Sequence, residues 1–152
     1  MITLLIPFLF LTSFSSQVKA LPGKQNEPQT HGANKIIVPV GGNTWSINGG
    51  KVTNVGLTDW SSTSTKVKTY IYLSQAGTLN LSLNLNPGGK NKLKVTIQGI
   101  SKVVTVEGSQ EKEFYVGSWE HVRPGYEVIE LQGISRSAAN FGKITSFGIS
   151  GT

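Results

Sequence analysis

Three tryptophans, Trp45, Trp60 and Trp119, each stand beside Ser, Thr or Asp, and this pairing is the chain's clearest opening for chemistry. An indole face packs on the axial C–H face of a pyranose. Polar neighbours then hydrogen-bond the hydroxyls, and loop aromatics of this kind are common at ligand sites. The same rings can instead fill a core, with each indole N–H satisfied locally. Both readings remain open for any single Trp. Asp59, next to Trp60, could offer one oxygen to Ca2+ or cap a turn, and turn capping is the commoner use.

Other chemistries find little support. The histidines, His31 and His121, are far apart, and no Asp-rich loop is present, so no metal site is expected. Glu111 and Glu113 share a strand face, but a glycosidase needs two carboxyls across a cleft, one with a raised pKa. Their setting, Gln-Glu-Lys-Glu, reads as solvated surface. Ser118, Glu120 and His121 are close in sequence, yet triads are defined by geometry. There is no Gly-x-Ser-x-Gly elbow. Gly41-Gly42 and Gly49-Gly50 precede no helix signal, which argues against a phosphate-cradling loop. The absence of cysteine excludes disulfides, a thiol nucleophile and thiolate metal ligands. No catalytic residue and no cofactor are expected.

The elements that must position these residues are strands. Leu79, Leu81, Leu83 and Leu85 alternate with Asn80, Ser82, Asn84 and Asn86. A helix would scatter those leucines around its circumference, whereas a strand puts them on one face. Val67, Thr69, Ile71 and Leu73 alternate in the same way with Lys68, Tyr70 and Tyr72. Further runs surround Ile36–Val40, Val95, Val104, Phe114, Ile129 and Ile144–Ile149. Asn86-Pro87-Gly88-Gly89 and Gln98-Gly99 are turn signals. Roughly eight to ten short strands at this spacing predict an antiparallel sandwich or barrel.

The chain has 152 residues, which suggests one domain. Residues 1–20 read as a signal peptide cleaved after Ala20: an apolar run too short to span a bilayer, then the small residues Val18 and Ala20. No Lys or Arg precedes that run. Residues 21–35 read as a flexible linker, and 36–152 as the folded domain. A secreted or periplasmic location follows, with no membrane span after cleavage. The formal net charge is +6. The lysines are dispersed and alternate with apolar residues, so they read as a solvent face that protects strand edges, and nucleic acid is not an expected partner.

From Ile36 onward the chain resembles domain-of-unknown-function family 5077 of exported bacterial proteins. The resemblance rests on Ile37-Val-Pro-Val-Gly-Gly-Asn43, Gly56-Leu-Thr-Asp-Trp60, Ala76-Gly-Thr-Leu-Asn-Leu-Ser-Leu83 and Leu93-Lys-Val-Thr-Ile-Gln-Gly99. It continues through Pro124-Gly-Tyr126, Glu130-Leu-Gln-Gly133, Phe141-Gly142 and Ile149-Ser-Gly151. The layout is also similar to carbohydrate-binding modules with a galactose-binding-like jelly roll. That similarity implies an all-β, antiparallel jelly-roll β-sandwich. It further implies a glycan cleft on the loop edge, with Trp60 and Trp119 stacking on sugars and Asn140 and Asp59 binding hydroxyls. The modules' acidic calcium signature is missing, and Phe141-Gly142 stands where an Asp usually follows the terminal Asn. Domains of this family typically precede a larger one, so this chain is expected to act alone or beside separate enzymes.

Three functions follow in order of expectation. The first is a non-catalytic carbohydrate-binding module with a glycan or polysaccharide partner. The second is a structural or protein-docking sandwich that uses Tyr70 and Tyr72. The third is a small polysaccharide hydrolase that uses Glu111 and Glu113.

Overall fold

The leucine alternation of residues 79–85 becomes the strand that organises one sheet of the computed structural model, which describes residues 34–151. The expected signal peptide and most of the expected linker lie outside the described residues. Eleven strands follow in order: β1 (Ile36–Pro39), β2 (Thr44–Ile47), β3 (Lys51–Thr53), β4 (Gly56–Thr58), β5 (Lys66–Leu73) and β6 (Gly77–Asn86). Then come β7 (Gly89–Ile97), β8 (Ile100–Gly108), β9 (Lys112–Val122), β10 (Gly125–Arg136) and β11 (Lys143–Gly151). Among the described residues there is no helix.

All pairings are antiparallel and form two sheets. The six-stranded sheet runs β3-β4-β11-β6-β9, with β1 also on β11. The five-stranded sheet runs β2-β5-β10-β7-β8. Their inner faces meet in one core. Leu81, Leu83, Leu85, Ile144 and Phe147 come from the first sheet, and Val67, Leu93, Val95, Ile129 and Leu131 from the second. Alternate residues leave each core strand for solvent, as a half-buried antiparallel sheet requires. Thr44 and Thr69 are buried polar exceptions, and their hydroxyls satisfy each other at 2.8 Å.

Turn chemistry agrees with the sequence at two places. Gln98 and Gly99 both have positive φ (50° and 80°), the two-residue hairpin geometry that matches strand twist. At the end of β6, Asn86 Oδ1 accepts the Gly88 N–H at 3.1 Å and starts the turn.

One glycine is needed for close approach. Phe141 lies over Gly133 of β10, and a Cβ there would come within 2.3 Å of Phe141 Cζ. Gly133→Ala is expected to destabilise the domain by about 1–3 kcal/mol through overpacking. Urea unfolding checks this: the midpoint should fall while the slope stays unchanged.

Candidate ligand-binding surface

At one end of the sandwich, the segment between β4 and β5 is tied to the loop between β10 and β11. The Phe141 N–H donates to the Trp60 carbonyl at 2.7 Å. Arg136 Nε donates to the Ser61 carbonyl at 2.9 Å, and Gln132 Nε2 to the Thr63 carbonyl at 2.8 Å. These bonds bring Asp59, Trp60 and Asn140 to the same end. Asp59 is exposed, with a left-handed φ of 54°, and Asn140 is half-buried. Trp60, however, has 0% exposure and packs on Phe141 with ring centroids 5.0 Å apart. Its indole N–H has no partner among the described residues. A ring sealed this completely offers no face to a sugar, so the expected stacking by Trp60 does not hold.

Trp119 offers no face to a sugar either. It lies within β9 and not in a loop, opposite Leu79 near the start of β6. Trp60 sits at the other end, where Leu57 and Leu85 flank Ile144. Trp119 is 2% exposed, its Nε1–H donates to the Ile100 carbonyl at 2.9 Å, and Lys102 Nζ lies over the ring at 5.4 Å. The structure therefore does not bring Trp60 and Trp119 into one cleft.

Among the described residues four of the five exposed rings are elsewhere, and the fifth, Tyr115, lies on β9. On the outer face of the five-stranded sheet, Trp45 of β2, Tyr70 and Tyr72 of β5, and Tyr126 of β10 are 56%, 44%, 65% and 81% exposed. Trp45 meets Tyr70 edge-on, with centroids 5.2 Å apart at 84°. Tyr72 meets its cross-strand partner Tyr126 at 5.2 Å and 64°. These are favoured aromatic geometries and hold the rings as a unit.

The band borders a groove at the mouth of the sandwich. The last β2–β5 pair is Thr44 with Thr69, so β5 continues without β2 from Tyr70 on. Between that edge and β1 lie two adjoining cavities of about 160 and 240 Å³. Both are lined by Ile36, Tyr72, Leu73 and Ile149. Asn43 holds Tyr70 from both sides: its Nδ2 donates to the Tyr70 carbonyl at 2.9 Å, and its carbonyl accepts the Tyr70 N–H at 3.0 Å. Asn43 lines the larger cavity, and its buried Oδ1 has no donor among the described residues.

Residues 38–152 match the family described as "Domain of unknown function (DUF5077)". The chain belongs to this family. It matches no curated protein at the sequence level. The DUF5077 domain is similar in structure to the CBM35 of Cellvibrio japonicus Abf62, with a TM-score of 0.63 and 12% identity over 78% of this chain and 94% of that one. It is similar to the CBM36-1 domain of a multidomain xylanase from the Trinervitermes trinervoides hindgut metagenome (TM-score 0.55, 19% identity, 78% and 98% covered). It is also similar to a Podospora anserina GH26-CBM35 β-(1,4)-mannanase (TM-score 0.57, 13% identity), covering 72% of this chain but only 28% of that enzyme. At such identities the likeness shows the fold, and the all-β jelly-roll sandwich expected of the sequence is the fold found.

The acidic residues of this DUF5077 domain favour no hydrolytic pair. Glu113 forms an ion pair with Lys35. The Lys35 ammonium, helped by a hydrogen bond from Ser82, holds the Glu113 carboxyl below the usual glutamate range. A general acid needs the opposite shift. Glu111 accepts a hydrogen bond from Thr145 Oγ1 at 2.7 Å on the open surface. Among the described residues no three His, Cys, Asp or Glu side chains are grouped for a metal ion.

The lowered carboxyl has a consequence for pH. A carboxylate depressed by folding adds stability above its unfolded pKa, and loses it as pH falls through the folded value. NMR titration should place the Glu113 midpoint below that of an ordinary glutamate, and Lys35→Gln should move it up. A midpoint unmoved by Lys35→Gln would refute the assigned cause.

Proposed function

We propose that this domain is a non-catalytic glycan-binding module whose platform is the exposed band Trp45, Tyr70, Tyr72 and Tyr126. The observation that carries the reading is the exposure of these four rings together on one sheet face, beside an open groove. A contiguous exposed aromatic patch marks an interaction site. A sugar supplies matching C–H faces for the rings. The fold shared with carbohydrate-binding modules supports the reading. Asp59 and Asn140, at the loop end, make a secondary contact without an exposed tryptophan beside it. The domain works outside the cytoplasm of a bacterium, secreted or periplasmic, alongside separate enzymes, and is itself no enzyme.

Affinity electrophoresis of the protein through gels carrying a broad panel of polysaccharides tests this reading. Retardation by at least one polysaccharide, without its hydrolysis, is the expected result. No retardation on any gel, together with a protein partner that co-purifies stoichiometrically, would replace it with the docking reading, in which Tyr70 and Tyr72 contact protein.

A further inference from the structure

Lysines dispersed in sequence become one patch in the sheet. Lys66 and Lys68 lie on β5, and Lys92 and Lys94 on β7. Strand β10 runs between them and sets the rows: Lys66 opposite Gln132 opposite Lys94, and Lys68 opposite Glu130. Trp45 stands directly across from Lys68, so the patch is continuous with the aromatic band.

The charges do not cancel. Glu130 is the single carboxylate in these rows, 3.3 Å from Lys66 and 3.8 Å from Lys68. Among the described residues no carboxylate lies within ion-pair distance of Lys92 or Lys94. Edge protection does not explain these positions. Lysine guards belong on edge strands, yet β5, β10 and β7 are the interior strands of this sheet. Like charges crowded on one outer sheet face cost repulsion, which an anionic ligand would relieve.

We infer that the glycan bound at this face is acidic, with its carboxylates or sulfates over Lys92, Lys94 and the Lys66–Lys68 pair while its rings lie on the aromatic band. The inference rests on the glycan-binding reading and specifies its substrate class.

The test measures affinity of the full chain for polygalacturonate, methyl-esterified polygalacturonate, dextran sulfate and dextran, at about 20 and 300 mM NaCl, where screening differs severalfold. At low salt an acidic polymer should bind about tenfold tighter than its neutral counterpart, and the preference should shrink at high salt. The acidic arm that binds identifies carboxylate or sulfate as the anion, and either result supports the inference. The double variant Lys92→Gln/Lys94→Gln should lose about fivefold for the acidic polymer and nothing for the neutral one. Lys51→Gln/Lys143→Gln, on the other sheet, should change neither. Equal affinity for acidic and neutral polymers would overturn the inference and leave the glycan reading standing. Failure to bind any glycan on the wider panel would overturn the reading itself. Competition by single-stranded poly(dT) as strong as by the acidic polymer would overturn the glycan assignment.

Discussion

Replacing Trp60 with alanine is expected to cost about 3–5 kcal/mol, a large share of the roughly 5–15 kcal/mol that holds a domain folded. The ring has 0% exposure and packs on Phe141, so its removal leaves a cavity the tied loops cannot fill. Trp119→Ala should cost a similar amount. The two part company when changed to phenylalanine. Trp60 keeps an indole N–H buried without a partner, so phenylalanine removes an unsatisfied donor and offsets part of the lost packing. Trp119 Nε1 bonds the Ile100 carbonyl, so phenylalanine breaks a made bond. Trp119→Phe should therefore destabilise more than Trp60→Phe, by about 1 kcal/mol or more. Thermal unfolding of the four variants checks this. Near-native stability for Trp60→Ala would mean the ring is not core.

Removing the exposed rings should have the reverse profile. Tyr72→Ala/Tyr126→Ala takes away two largely exposed rings that pack mainly on each other. The stability cost is that of one cross-strand pair, about 0.2–1 kcal/mol. The binding cost should be much larger. If each ring contributes about 1 kcal/mol to a stacked sugar, losing both lowers affinity about tenfold or more. Trp45→Ala should act in the same direction. A double variant that folds and binds its polysaccharide as tightly as the parent would remove the platform from the account.

The strands were legible because alternation alone decides which way a side chain faces. On β5 the inward set Val67, Thr69 and Ile71 places Tyr70 and Tyr72 outward, and they are outward. Carried on from Phe114 and Val116, the same rule would turn Trp119 outward. Phe114 and Val116 face inward on β9, yet so does Trp119, three residues on. A register shift lies where Leu81 pairs Gly117 and Ser82 pairs Tyr115. Such a bulge inserts a residue and exchanges the two faces. Nothing local in the sequence announces it beyond Gly117, whose φ is 149°. Trp60 escaped for another reason. It follows the left-handed Asp59 in an irregular segment, where no period applies and polar neighbours say nothing about burial. The lysine patch was hidden because strand order, which sequence does not show, puts β10 between β5 and β7.

On the proposed function, ligand meets the aromatic band and not the two core tryptophans. The three indole N–H groups give three separable resonances in a 15N-correlated NMR spectrum. On titration with a bound oligosaccharide, the Trp45 resonance is expected to move while those of Trp60 and Trp119 stay in place. Movement of Trp60 or Trp119 with Trp45 unchanged would contradict it.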